Sequence, residues 1–294
     1  MIIDPATGEE VDVKKPQITI DWPTGKGHIS FSELANWVAC SWRHKLLYIE
    51  GLGSYSPTPH VEFGTGIHAS SENYVLTREM DRDRAYDVIR KSWKDNHDLF
   101  TKGPFPDWSS KGYGEVEDWI KIADRLMDEF PAFLDETFPG WTAHAAEEYL
   151  FEDIKGAPLK FKGFIDAVLK VTDKRGKELY WIIDWKTCGW GWHKRKKQDP
   201  NILMQLILYK HFWAQKHGIP LSNVRCAFGL LKRDGKPGKS IELFTVSAGP
   251  KTINRSLKVI EHHVKSVKRG MFLKNRDSCR FCDFENTEHC SQNM

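Results

Sequence analysis

Residues 163–187 read GFIDAVLKVTDKRGKELYWIIDWKT. Two strand-like runs, 160–171 and 179–187, flank the polar turn Asp173, Lys174, Arg175 and Gly176, a pattern that predicts an antiparallel hairpin. Side chains alternate across a strand, so Asp184 and Lys186 share one face. Their neighbours Ile182, Ile183 and Trp185 suit burial, so two opposite charges emerge from an otherwise apolar strand. Asp166 lies on the first strand, where the hairpin brings it beside Asp184.

The second carboxylate changes what this pair can do. Two close carboxylates repel, which raises one pKa unless a cation neutralises them. Mg²⁺ takes a few carboxylate oxygens and keeps waters for substrate phosphates. Such an ion can activate water and stabilise a leaving group, and a lysine beside it can orient the attacking water. Taken alone, Asp-x-Lys is ordinarily a salt bridge on a half-exposed strand.

Outward from the hairpin, 144–152 predicts a further strand, and it carries Glu147 and Glu148. Either glutamate could assist a metal, although a solvated strand position is the commoner fate. After the hairpin, Trp190, Trp192, Lys194, Arg195, Lys196 and Lys197 combine aromatic and basic side chains. Such residues can stack on bases and contact phosphates, or simply form a solvated charged loop. Asp199 and Pro200 predict a helix start, with an acidic N-cap and proline at the first position. That helix runs to about Lys216, before Gly218. Strands near 223–232 and 240–247 and a helix at 250–269 follow.

Upstream, 1–29 reads as irregular. Ser30 and Glu33 have capping-box spacing, and Leu34, Trp37, Val38 and Leu46 continue a helical period that ends at Gly51 or Gly53, with Cys40 inside it. After a proline-containing loop at 52–63, a helix from near Gly64 carries His68. Helical patterns at 82–98 and 115–136 flank a loop at 103–114. The order predicts one α/β domain over 1–294, with a mixed central sheet flanked by helices. Its parts are the irregular 1–29, a helical region 30–140, a core 141–250, and a helix with a cysteine-rich tail at 251–294.

Net charge is +3 over 294 residues, which permits nucleic-acid binding without arguing for it. No apolar run approaches the roughly 20 residues a membrane helix needs, and Met1 to Gly8 lacks a secretory n-region and h-region, so a cytoplasmic protein with no membrane partner is expected. In such a chain clustered cysteines hold metal more often than disulfides. Cys279 and Cys282 have C-x-x-C spacing, Cys290 follows, and Cys40 lies far upstream. This number of thiolates suits Zn²⁺ or an iron–sulfur cluster, and His44 and His289 beside them keep zinc open. Cys188 and Cys226 fall in or beside strands and read as small core residues.

These residues together resemble the core of the PD-(D/E)XK nuclease superfamily, and most closely its RecB-like branch. Gly64-Thr65-Gly66-Ile67-His68 matches that branch's G-x-x-x-H motif, and Gln205 and Tyr209 match its Q-x-x-x-Y motif on the helix after the hairpin. Ile165 stands where the superfamily's name has proline. The resemblance implies a restriction-endonuclease-like core that hydrolyses DNA phosphodiester bonds. It implies Mg²⁺ or Mn²⁺ held by His68, Asp166, Asp184 and the backbone carbonyl of Trp185. Lys186 would position water, and Gln205 and Tyr209 would orient the site or the DNA. Exonuclease action in recombination, repair or end processing is the expected mode, on single-stranded DNA or DNA ends, with a recombination or helicase partner and a phage origin in keeping with the group. A subgroup that includes the CRISPR-adaptation nucleases binds a [4Fe–4S] cluster through one cysteine before the core and three after it. By resemblance the ligands are Cys40, Cys279, Cys282 and Cys290. Two departures are Ser41, where proline often follows the first cysteine, and a longer final gap of seven residues. The rival from another class is a nuclease-derived module that binds DNA or a partner without cutting, and the intact His68, Asp166, Asp184 and Lys186 set argues against it; a third reading is a zinc-stabilised structural protein, which metal analysis separates.

Overall fold

The computed structural model describes residues 2–3, 10–11, 21–53, 57–102 and 114–291. The hairpin forms as expected, with β5 (Lys160–Thr172) antiparallel to β6 (Glu178–Cys188). Its turn is built by Asp173, whose Oδ1 accepts from the amides of Arg175 at 2.8 Å and Lys177 at 3.0 Å. Gly176 there has φ +76°, a region that costs glycine nothing.

The described residues form a six-stranded mixed sheet around this hairpin. On one side β4 (Thr142–Asp153) runs antiparallel along nearly all of β5. On the other side, α8 (Pro200–His217) provides the crossover that lets β7 (Val224–Lys232) pair parallel with β6. β8 (Ile241–Val246) then closes the edge antiparallel to β7. Asp199 caps α8 through Asn201 N at 2.9 Å, and Gly218 ends it in the left-handed region, as the sequence predicts.

The expectation of an irregular 1–29 is corrected where that region is described. β1 (Ile2–Ile3) pairs with β2 (Glu10–Val11), and β3 (His28–Ser30) pairs parallel with Lys160–Lys162 of β5. Runs of two or three residues are too short to show a period, and their partners lie elsewhere in the chain. Residues 1, 4–9 and 12–20, most of the loop at 103–114 and residues 54–56 lie outside the described residues.

Two further boundaries move. The predicted first helix is broken into α1 (Phe31–Ala39), α2 (Ser41–His44) and a π-helical turn at Lys45–Ile49. Cys40 is extended at the break and not helical. The tail causes this, since the Trp42 amide and the Ser41 hydroxyl both donate to the Leu273 carbonyl, at 3.1 and 3.2 Å. α3 (Pro59–Thr77) begins before Gly64, because Thr58 is its N-cap and Pro59 its first residue. α4 (Arg82–Asp95), α5 (His97–Lys102) and α6 (Val116–Thr137) follow, and after the sheet come α7 (Lys194–Lys197) and α9 (Pro250–Lys268).

Each face of the sheet buries its own core. One joins Ile165, Val168, Ile182 and Phe228 to α8 residues such as Leu208 and Phe212 and to Ile253 and Ile260 of α9. The other joins Ile183, Trp185 and Leu169 to α3, α4 and α6 through Phe63, Ile89 and Phe130. Trp185 pairs with Gly229 of β7, and a Cβ added at Gly229 would lie 2.0 Å from the indole. Glycine is therefore required for Trp185 to lie flat on the strand. Gly229→Ala is expected to cost about 1–3 kcal/mol or more through overpacking. Chemical denaturation checks this, and an unchanged midpoint would contradict the packing.

Candidate active site

The β5–β6 ladder ends at Ala167 opposite Ile183. Beyond it β6 continues alongside β7, while β5 continues alongside β4. The first residues past the parting point are Asp166 and Asp184. The Trp185 amide, left without a partner on β5, donates to Asp166 Oδ2 at 2.6 Å. Asp184 Oδ1 accepts from Gln205 Nε2 of α8 at 2.7 Å, and its Oδ2 meets Lys186 Nζ at 2.6 Å. Gln205 also reaches the Tyr209 hydroxyl at 3.3 Å. From the opposite side α3 delivers His68, whose Nδ1 is 3.7 Å from Asp166 Oδ2.

Two glycines of the motifs have steric reasons to be glycine. A Cβ on Gly64 would stand 3.2 Å from the Thr187 hydroxyl, so its absence lets α3 approach the end of β6. A Cβ on Gly163 would stand 2.7 Å from the Tyr209 ring.

The electrostatics are those of a buried anionic pair. Asp184 is 2% exposed and Asp166 9%. Burial first, and the Asp184 charge second, push the Asp166 carboxyl well above its ordinary range. Burial alone would lower the Lys186 pKa, but Asp184 and Asp166 outweigh it and hold the ammonium charged. Burial also lowers His68, which favours the neutral, ligating ring. A divalent cation fits this donor set, since it would relieve the repulsion that burial has imposed on the two carboxylates.

The site opens into a cavity of about 770 Å³ lined by His68, Glu72, Arg84, Glu147, Asp166 and Lys186. Two of these glutamates differ from the sequence reading. Glu72 lies one turn after His68 on the same helix face, and burial with the Glu147 charge raises its pKa to about 7. The spacing of four was the signal that could have found it. Glu147 does face the site, and at φ +47° it occupies a backbone region that costs an L-residue roughly 1–2 kcal/mol. Glu148 is neither solvated nor at the site. It accepts from Trp213 Nε1 at 2.7 Å, Lys216 Nζ at 2.7 Å and His217 Nε2 at 2.6 Å, and so ties β4 to the helix that carries Gln205.

The basic and aromatic loop divides. Trp190 is 82% exposed, and Lys194, Arg195 and Lys196 face solvent. Trp192, expected as a stacking surface, is instead buried against Phe228 and Phe244. Lys196 lies over its ring at 4.6 Å, and Lys197 is paired with Glu242.

Cys40, Cys279, Cys282 and Cys290 line one cavity of about 470 Å³. The turn around Cys40 is fastened to the tail. Asn275 N donates to Cys40 Sγ at 3.3 Å, Asn275 Nδ2 to the Ala39 carbonyl at 2.8 Å, and Trp42 Nε1 to the His289 carbonyl at 3.1 Å. Partial burial, then Glu285 and the three other thiols, raise the Cys279 pKa. Four thiols that line one cavity without a disulfide among them are the donor type of a zinc or iron–sulfur site. His44 is fully buried and turned to Glu33 and His263, so it is not available to these thiols. Cys226 is buried in β7 as expected, its thiol pushed up to about 12 by burial.

A model of the PD-(D/E)XK nuclease superfamily matches residues 28–287. The chain belongs to that superfamily. The match spans the whole sheet from β3 onward together with the helices that deliver His68 and Gln205. A candidate exonuclease from Eubacterium rectale shares the fold, with a TM-score of 0.54 at 14% identity over 87% of this chain and 86% of its own. A second solved protein, SSO0001, aligns over 83% of this chain and 91% of its own at 14% identity, with a TM-score of 0.32, too low to add to the comparison. A comparison with curated proteins finds no match. Nucleases of this superfamily typically use divalent metals, in keeping with the paired carboxylates. No helix among the described residues is long and apolar enough to cross a membrane.

The Glu148 anchor gives a pH prediction. Burial opposes its charge, but the bonds from Lys216, His217 and Trp213 outweigh burial and lower its pKa below 4.5. Its charge therefore stabilises the fold above that pH, and the contribution is lost as pH falls through the depressed native value. Glu148→Gln should be less stable than wild type by about 1 kcal/mol at neutral pH, and the difference should shrink on acidification. Thermal unfolding across pH 3–7 checks this, and a difference that holds or grows toward pH 3 would contradict it.

Proposed function

We propose that the protein is a Mg²⁺- or Mn²⁺-dependent deoxyribonuclease of the RecB-like branch, acting as an exonuclease on single-stranded DNA or DNA ends. The observation that carries this reading is the fork itself, where two buried carboxylates on parting strands meet a charged lysine and a half-buried histidine. His68, Asp166, Asp184 and the carbonyl of Trp185 would hold the ion, which when bound would polarise the scissile phosphate and lower the pKa of water. Lys186 holds a proton at Nζ and stands beside Asp184, where it can orient water and offset charge developing on phosphate. Gln205 fixes the Asp184 carboxylate by donating to Oδ1, and Tyr209 holds Gln205. Trp190, Lys194 and Arg195 are exposed and of a chemistry suited to contact a nucleic-acid strand.

The four cysteines are proposed to hold a structural [4Fe–4S] cluster that joins the break after α1 to the tail, closing a very long loop. The biological setting consistent with such an enzyme is end processing in recombination or repair, in a cytoplasm, with a helicase or recombination protein as partner.

Asp184→Ala should reduce Mg²⁺- or Mn²⁺-dependent degradation of end-labelled DNA to background. Lys186→Ala should reduce it on the order of 10²–10³-fold. Both should leave circular dichroism unchanged, and full activity in both variants would contradict the assignment. Products shortening from one labelled end support exonuclease action, whereas internal fragments from closed circles contradict it. Cys282→Ala should lower soluble yield and abolish iron content and visible absorbance. An anaerobic wild-type preparation that is colourless, iron-free and zinc-loaded would overturn the cluster.

A further inference from the structure

A second constellation of ligating side chains lies away from the fork and from the cysteines. Glu33 of α1, His44 of α2 and His263 of α9 meet inside the protein at 1%, 0% and 0% exposure. His44 Nε2 is 3.2 Å from Glu33 Oε1, His263 Nε2 is 3.2 Å from His44 Nε2, and His263 Nε2 is 3.8 Å from Glu33 Oε1. Three atoms able to ligate a metal thus form a closed triangle in a place without solvent.

Protons alone satisfy this triangle poorly. A neutral imidazole has one N–H, so if His44 Nε2 carries it, that hydrogen faces both Glu33 and His263 and can align fully with only one. If His44 Nε2 carries the lone pair, it confronts the glutamate oxygen at 3.2 Å. Neither His44 Nδ1 nor His263 Nδ1 has a hydrogen-bond partner whether a proton or a metal lies at the centre, so the choice rests on the three inner edges. A cation at the centre satisfies all three edges together. Zinc bonds of 2.0–2.1 Å at tetrahedral angles place neighbouring ligand atoms about 3.3–3.4 Å apart, and the three edges bracket that separation.

We propose that Glu33, His44 and His263 form a structural zinc site. The ligand set, two imidazoles and one carboxylate, is one that zinc accepts. The site would join three helices across a sequence separation of 219 residues between His44 and His263. It also sits directly behind the cysteine cavity, since the His44 amide donates to the Cys40 carbonyl at 3.0 Å. Among the described residues a second group of this composition, His144, Glu148 and His217, is more exposed, and Lys216 already occupies its carboxylate at 2.7 Å. The zinc proposal is independent of the nuclease reading.

The test uses tag-free full-length protein reconstituted with Zn²⁺, dialysed, and measured for metal content and zinc X-ray absorption. One zinc per chain is expected, in a shell of nitrogen and oxygen with scattering from two imidazoles. The candidate ligands at the fork include one imidazole, His68, and the tail offers sulfur, so the spectrum separates both from the proposed site, and His144→Gln, expected to keep the zinc, excludes the other two-imidazole group. Glu33→Gln and His263→Gln keep side-chain volume and should lose this zinc on dialysis. Wild-type protein that retains no zinc overturns the proposal. So does a shell dominated by sulfur or holding a single imidazole, and so does zinc retained by both variants. If neither variant is soluble, the wild-type spectrum is read beside that of His144→Gln, and zinc lost from that variant overturns the proposal.

Discussion

Everything at the candidate active site follows from the parting of two paired strands. β5 and β6 stay hydrogen-bonded to Ala167 and Ile183 and then diverge, because each continues with a different neighbour. A parting ladder leaves backbone amides unsatisfied, and a buried one costs free energy comparable to a lost hydrogen bond. Asp166 meets this need by accepting from Trp185 N. That bond places one carboxylate in the gap, Asp184 supplies the other, and both are too buried to be solvated apart. The repulsion between them is the reason a cation fits there. The surrounding elements serve this geometry: Gly229 lets Trp185 lie flat, Gly64 admits the helix bearing His68, and Gly163 makes room for Tyr209.

The parts legible in the sequence were those governed by short periods and local turn chemistry. The hairpin, the Asp199-Pro200 helix start and the mixed sheet all appear as expected. The motif residues, far apart in the chain, also come together. The misreadings have one physical origin, which is that a distant partner overrides a local pattern. Cys40 lies on a helical period, yet bonds from the tail break the helix at it. Trp192 stands in a basic loop, yet the sheet buries it. Glu147 and Glu148 are adjacent and chemically identical, and only strand geometry sends one to the cavity and the other to Trp213 and Lys216.

The two ends of the chain form a second organised region. α1, α2, α9 and the tail are joined by the contacts around Cys40 and by the buried Glu33, His44 and His263 group. Neither set of residues touches the fork directly. α1 and α9 nevertheless pack in the same core as α8, the helix that carries Gln205. Order at the chain ends can therefore support the placement of α8 through packing, without any part in the chemistry.

The most direct measurement of the central proposal is a crystal structure of the protein soaked in Mn²⁺, with data collected for anomalous scattering from manganese. A metal-bound fork predicts a peak among Asp166, Asp184, the Trp185 carbonyl and His68. Saturating Mn²⁺ with no peak at that position would contradict it.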